Sequence, residues 1–165
     1  MRILALAGGI AGAVTLSQFP EFSQQYVQRL SGAVDELRAV TLAFDTSARV
    51  AGLTRDEALD EMSGTSFGAS FSQDLGQQVY RYDRLNADYQ ALARAAPLER
   101  LARFYRMRDP ELARRTWDDF QPAVPVTSEG FITAGIGYGV GWGLIAGLTG
   151  LLFGRRRRRY RSFAR

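Results

Sequence analysis

The stretch Phe131–Arg159, FITAGIGYGVGWGLIAGLTGLLFGRRRRR, decides how this sequence folds. Its first 23 residues carry no charge, and as a helix they measure about 34 Å, enough to cross the roughly 30 Å apolar core of a bilayer. The five consecutive arginines after Gly154 are typical of the cytoplasmic end of a membrane-spanning helix. The sequence therefore predicts a C-terminal transmembrane helix in residues 127–153 and an arginine-rich cytoplasmic tail in residues 154–165.

A second apolar segment lies at the N-terminus. Ile3–Phe19 has 17 uncharged residues, and a helix of this length spans about 25 Å, the short end of the range for a bilayer. The positive start and small residues also fit a cleaved signal peptide. We predict an uncleaved transmembrane helix in residues 1–19. In either case residues 20–126 form a periplasmic domain of a bacterial inner-membrane protein.

Charge is divided sharply along the chain. Residues 20–128 contain 13 Arg against 16 Asp and Glu, a net charge of −3, whereas seven arginines after Phe153 give the tail +7. This division favours an acidic insert outside and a basic tail inside. The tail is predicted to fix the topology and to bind anionic lipids rather than nucleic acid. The residues expected to do this are Arg155, Arg156, Arg157, Arg158, Arg159 and Arg161.

The amino-acid composition excludes most catalytic mechanisms. The chain has no His and no Cys, and each of its 21 basic residues is Arg. Thiolate nucleophiles, the usual imidazole base and lysine Schiff bases are therefore absent. We expect a protein that is not an enzyme, with no catalytic residues, cofactor or metal.

Two carboxylate clusters are the candidates for metal or proton chemistry. Residues 56–61 include Asp56, Glu57, Asp60 and Glu61, which either bind a divalent cation or form an ordinary solvated helix start. The pair Asp118 and Asp119 either holds a metal or a proton or ends a helix in water. We favour the solvated interpretation for both.

Glycines recur every four residues in both apolar segments, so they line one face of each helix and let another backbone approach closely. This spacing predicts close helix packing, either between the two spans of one chain or between copies. The predicted packing residues are Gly8, Gly12, Gly135, Gly139, Gly143 and Gly147, with Gly137 and Gly141 forming a neighbouring row.

The insert is predicted to be helical throughout. Apolar residues from Phe19 to Phe44 and from Leu75 to Ala96 recur at spacings of three and four, which predicts two long helices paired as an antiparallel, coiled-coil-like hairpin. Thr54 and Glu57 are spaced as a capping box. By composition, residues 64–72 are expected to be a loop, and a helix is expected from Pro97 to Met107.

The chain also resembles an uncharacterised proteobacterial family of two-span membrane proteins, a domain of unknown function. The matching segments are AGGIAG at 7–12, SQFPEF at 17–22, GLTRDEA at 52–58, TWDDFQPAVP at 116–125 and Glu129-Gly130. The resemblance covers nearly the whole chain and implies two spans and an uncleaved N-terminus. It implies no activity and no functional residues.

Three functions remain open from the sequence. The first is a membrane protein that mediates assembly, as a homo-oligomer or as an accessory or scaffold subunit of a membrane complex. The second is a small oligomeric channel or permeability factor lined or packed by the glycine-rich span. The third is a periplasmic hydrolase that uses Asp118 and Asp119. We favour the first, with the bilayer and itself or another membrane protein as partners.

Overall fold

The computed structural model describes residues 2–124 and 126–160, and of residues 153–160 it describes the backbone alone. Within these residues the regular structure is entirely helical, as predicted. The elements are α1 (Arg2–Ser17), α2 (Phe19–Val50), α3 (Arg55–Met62), α4 (Ser66–Leu92), α5 (Pro97–Ala102), a 3₁₀ turn (Phe104–Arg106), α6 (Pro110–Asp118) and α7 (Ser128–Tyr160).

In the part of the chain that the structure describes, two stretches of helix are long and apolar enough to cross a membrane. One lies near the N-terminus and the other is Ser128–Leu152. The chain divides into two compact units. Unit 1 holds the residues up to Gln24, residues 97–101 and those from Phe120 onward, and unit 2 holds residues 25–96 and 102–119. α1 and the C-terminal apolar stretch therefore belong to unit 1.

The core of unit 2 brings together the two long helices predicted from the apolar spacing. Residues from the first half of α2 and from the second half of α4 contribute to the same buried cluster. α6 completes this core with one leucine. The buried cluster consists of Tyr26, Val27, Leu30, Val34, Leu85, Leu92 and Leu112.

Helix α2 ends through a glycine. Gly52 has φ +78°, a conformation that costs glycine little because it has no Cβ. The Gly52 N–H donates to the Arg49 carbonyl at 3.0 Å, and the Leu53 N–H donates to the Ala48 carbonyl at 2.9 Å. These two bonds satisfy the last carbonyls of the helix and turn the chain towards α3.

The predicted loop over residues 64–72 is wrong, because α4 already begins at Ser66. The Thr65 hydroxyl caps this helix by accepting a hydrogen bond from the Gly68 N–H at 3.0 Å. Gly68 lies so close to the end of α3 that an added Cβ would meet the Met62 carbonyl oxygen. The glycine here marks a close approach of backbone rather than a loop.

The helix predicted from Pro97 to Met107 is shorter than expected. α5 ends at Ala102 and a 3₁₀ turn follows. The Arg103 guanidinium donates to the Ala91 carbonyl at 2.9 Å, and Arg106 and Arg108 bind Asp88 at 3.1 and 3.0 Å. These tertiary contacts fix a path that local helix propensity does not predict.

Candidate functional site

The first candidate site is the face that α1 and α7 share, which is lined by glycine. An added Cβ on Gly12 would meet the Gly137 carbonyl oxygen, and one on Gly137 would meet the Gly12 carbonyl oxygen. An added Cβ on Gly8 would lie 3.0 Å from the Gly141 carbonyl oxygen. The two backbones therefore touch directly, as small-residue spacing permits.

An aromatic ring extends this contact. The ring of Tyr138 packs over Gly9, where an added Cβ would come within 2.6 Å of it. Tyr138 thus faces protein on one side and keeps 40% of its surface exposed. Trp142 is also half exposed, at 49%.

A second glycine face on α7 has no partner among the described residues. The structure leaves open space within 4 Å of the Cβ positions of Gly135, Gly139, Gly143 and Gly147. Successive helical residues are rotated by about 100°, which places Gly139 about 160° around the helix from Gly137. Of the predicted packing residues, Gly8 and Gly12 contact α7 within the chain, whereas this four-residue row, termed the open row below, does not contact α1.

The arginine tail is described only in part. α7 continues as a helix to Tyr160, so the backbone of Arg155, Arg156, Arg157, Arg158 and Arg159 is helical. Their side chains, and all of Arg161, lie outside the described residues. The predicted lipid and topology role of these arginines therefore stays a prediction.

The acidic cluster of residues 56–61 starts a helix. The Thr54 backbone N–H donates to the Glu57 carboxylate at 2.8 Å, and the Glu57 N–H donates to the Thr54 hydroxyl at 3.3 Å, which confirms the capping box. The bond from the Thr54 backbone lowers the pKa of Glu57. No group of three or more carboxylates suited to a metal ion occurs within the described residues.

The two aspartates at the end of α6 also have ordinary structural positions. Asp119 follows the last residue of the helix, and its backbone N–H donates to the Arg115 carbonyl. Its carboxylate binds the Arg29 guanidinium at 2.5 Å. Asp118 is exposed. The Asp119 carboxylate is therefore paired with an arginine, and the Asp118 carboxylate is in water.

A network of arginines and buried aspartates in unit 2 was missed by the sequence reasoning. Asp109 is 3% exposed, caps α6 by accepting from the Leu112 N–H at 3.1 Å, and binds Arg84 at 2.8 Å and Arg81 at 3.4 Å. Asp88 is 1% exposed and binds two further arginines. Nothing in the spacing of these residues reveals that they meet, because the contacts join separate helices.

One tyrosine connects this network to the core. Tyr26 is 1% exposed, and its burial raises the pKa of the hydroxyl to about 12. The hydroxyl is therefore neutral at physiological pH. The neighbours of the Tyr26 hydroxyl include Asp109, Asp88 and Arg84. The hydroxyl therefore lies on the buried side of the network and is not an acid–base group open to solvent.

These features define a class of protein: an all-helical chain whose two apolar helices are long enough to cross a membrane and pack on each other through glycine. The chain belongs to the family described as protein of unknown function (DUF2937), whose model matches residues 1–158. No curated protein matches the chain, and no solved structure does so.

Proposed function

We propose that this protein is a non-enzymatic two-span membrane protein that assembles with copies of itself through the open row of α7. The single observation that carries the proposal is the presence of two glycine faces on one apolar helix, only one of which is covered by α1. A helix with a single neighbour needs only one such face.

The physical argument concerns what drives helices together in lipid. Lipid tails are as apolar as leucine, so association depends on close van der Waals contact and not on exclusion of water. Replacing large side chains by glycine in a lone helix forfeits apolar contact with the lipid. A second backbone lying in the open row restores that contact. Two copies related by a two-fold axis would each offer the same row to the other.

Replacing Gly139 with leucine is expected to abolish this self-association. The new side chain would fill the groove at the middle of the open row and hold two backbones apart. It has open space within its own chain, so the fold should persist. The measurement is the oligomeric state of full-length protein in mild detergent and in native membranes, by light scattering and cross-linking.

Val140→Leu is the matched control, because it adds volume at an exposed position of α7 that already carries a side chain. It should leave the oligomer intact. A wild-type protein that is monomeric at every protein-to-lipid ratio would overturn the proposal. A homo-oligomer that survives Gly139→Leu would overturn it as well.

The orientation that we propose places residues 20–126 in the periplasm and the C-terminus in the cytoplasm of a bacterial inner membrane. It is supported by the acidic insert and the arginine block that follows the second apolar helix. Alkaline phosphatase fused after Arg165 should therefore be inactive, and fused within the turn at Gly64 it should be active. Green fluorescent protein at the same two sites should give the reverse pattern, and activity of the phosphatase at the C-terminus would contradict the orientation.

A further inference from the structure

A cavity in unit 2 lies where three helices meet, and the assembly proposal does not involve it. The cavity has a volume of about 340 Å³ and is lined by residues of α2, α4 and α6. All of these residues belong to the same compact unit. Small-molecule sites in proteins typically have volumes of about 300–1,000 Å³, so the cavity is large enough for a ligand of the size of an amino acid.

The floor of the cavity is apolar. Leu112 belongs to the buried core cluster of unit 2, and Ala33 and Leu37 pack against that cluster. All three side chains line the cavity. Because they carry no hydrogen-bonding group, this part of the cavity is suited to the methylene groups of a ligand, which gain free energy by leaving water. The polar groups of a ligand would meet the charged side chains that line the rest of the cavity.

The positive part of the cavity is built around one carboxylate that two arginines share. Glu111 accepts from the Arg81 guanidinium at 2.8 Å and from the Arg115 guanidinium at 2.6 Å. The hydrogen bond with Arg81, and then the charges of both arginines, lower the pKa of Glu111. Arg81 also binds Asp109 at 3.4 Å, but Arg84 binds that carboxylate more closely, at 2.8 Å. Two guanidinium groups against one carboxylate therefore leave an excess of positive charge at this end.

Both arginines keep hydrogen-bond donors for a ligand. A guanidinium group has five N–H donors. Towards the residues that the structure describes, Arg81 and Arg115 donate through Nη2 alone. Their side chains are 37% and 60% exposed, so the Nη1 groups are available to an acceptor that enters the cavity.

A single unpaired carboxylate provides the negative part of the cavity. Glu36 also lines it and is exposed, and no guanidinium group among the described side chains forms an ion pair with it. Its carboxylate oxygens therefore lie more than 4.0 Å from the guanidinium nitrogens of Arg81 and Arg115. A gap separates the negative charge of Glu36 from the positive charge at the other end.

The balance of these charges indicates the class of ligand. Over the cavity as a whole, the two carboxylates and the two guanidinium groups cancel. An anion would be attracted by the arginines but repelled by Glu36, and a cation would be attracted by Glu36 but repelled by the arginines. A neutral molecule that carries both charges complements both ends. It is also favoured over an uncharged polar molecule, since charge-assisted hydrogen bonds are about twice as strong as neutral ones.

We propose that this cavity binds a small zwitterion, a molecule with a carboxylate at one end and an ammonium group at the other, such as a free amino acid. The carboxylate accepts hydrogen bonds from Arg81 and Arg115, for which the planar guanidinium group is suited. The ammonium group donates to Glu36, and the methylene groups lie over the apolar floor. This inference concerns unit 2 alone and depends neither on self-association nor on the two spans.

The test uses a series of unbranched ω-amino acids, from glycine upward, in which each member separates the two charges by one more methylene group. Binding to the full-length protein in detergent is measured by isothermal titration calorimetry and by saturation-transfer NMR. We expect the affinity to pass through a maximum at one chain length, because one length fits the gap between Glu36 and the arginines. The alkyl carboxylate and the alkylamine of that length each lack one charge and should bind about tenfold more weakly.

Two variants assign the two ends of the ligand. Glu36→Gln should remove the preference for the zwitterion over the alkyl carboxylate, and Arg115→Gln should remove its preference over the alkylamine. Both side chains are exposed, so the fold should persist, which thermal unfolding checks. Asp35→Asn and Arg38→Gln are the matched controls, because they remove the same charges from exposed positions of α2 that do not line the cavity. They should leave the affinity unchanged.

Three results would overturn the proposal. The first is that no member of the series binds at concentrations up to its solubility limit. The second is that the alkyl carboxylate binds as tightly as the zwitterion, which would make the cavity an anion site. The third is that Asp35→Asn weakens binding as much as Glu36→Gln does, which would assign the effect to the overall charge of the unit and not to the cavity.

Discussion

Replacing Gly12 with leucine is expected to separate α1 from α7. An added Cβ at position 12 meets the Gly137 carbonyl oxygen and lies 3.2 Å from the Gly141 Cα. Both are backbone atoms that cannot rotate away. Overpacking a tight contact usually costs about 1–3 kcal/mol, and we expect the upper end of this range because a whole helix must move.

Disulfide formation measures this separation directly, because the chain has no cysteine of its own. A Cβ on Gly8 lies 3.1 Å from the Ile145 Cβ, so the two helices need to part by only a few tenths of an ångström to reach the separation of about 3.5–4.5 Å found in disulfides. Cysteines at these two positions should therefore oxidise rapidly, and much more slowly once Gly12→Leu is added. Gly139→Leu is the matched control and should leave the rate unchanged. Equal rates in the two leucine variants would contradict the contact.

Asp109→Ala is expected to destabilise unit 2 strongly. It removes the cap of α6, worth about 1 kcal/mol, and leaves Arg81 and Arg84 without their buried partner. Removing one member of a buried ion pair costs about 3–5 kcal/mol, reduced here because both guanidinium groups are about one-third exposed. In total we expect the free energy of unfolding to fall by about 3 kcal/mol. Urea unfolding, followed by circular dichroism, measures this change.

Two further variants separate the contribution of the helix cap from that of the buried ion pair. Asp109→Asn keeps an oxygen that can accept from the Leu112 N–H, so it should recover about 1 kcal/mol relative to alanine. Glu111→Ala removes the neighbouring carboxylate, which binds Arg81 at 2.8 Å but is 41% exposed, so it should lower the free energy of unfolding much less than Asp109→Ala does. If Glu111→Ala lowered the free energy of unfolding as much as Asp109→Ala does, burial would not be the reason for the large effect at Asp109.

The sequence predicted the helices well, because their signals are local. The spacing of Tyr26 and Leu30 on α2 and of Leu85 and Leu92 on α4 placed the core of unit 2, and the Thr54 capping box placed the start of α3. Where the prediction failed, a contact between distant segments had overridden local preference. Composition predicts a loop around Gly68, whereas in the structure this glycine lies in α4 and makes room for the end of α3.

The candidate sites were predictable to different degrees. Period-four spacing identified Gly8 and Gly12 as packing residues, since every fourth residue lies on one helix face. It did not tell which of the two glycine rows on α7 meets α1, because spacing within one helix carries no information about the partner. The Asp109 and Asp88 network was invisible for the same reason: its arginines come from other helices or from turns.

The glycine content of α7 has a cost of its own in lipid. Residues 131–153 include seven glycines, and each gives up the roughly 1.5–3 kcal/mol that a buried leucine or isoleucine side chain contributes. Alone, such a segment partitions from water into hydrocarbon less readily than an ordinary span of its length. The contact with α1 compensates part of that deficit. In the two-span arrangement proposed above, retention of α7 in the bilayer and its docking on α1 are therefore a single coupled equilibrium.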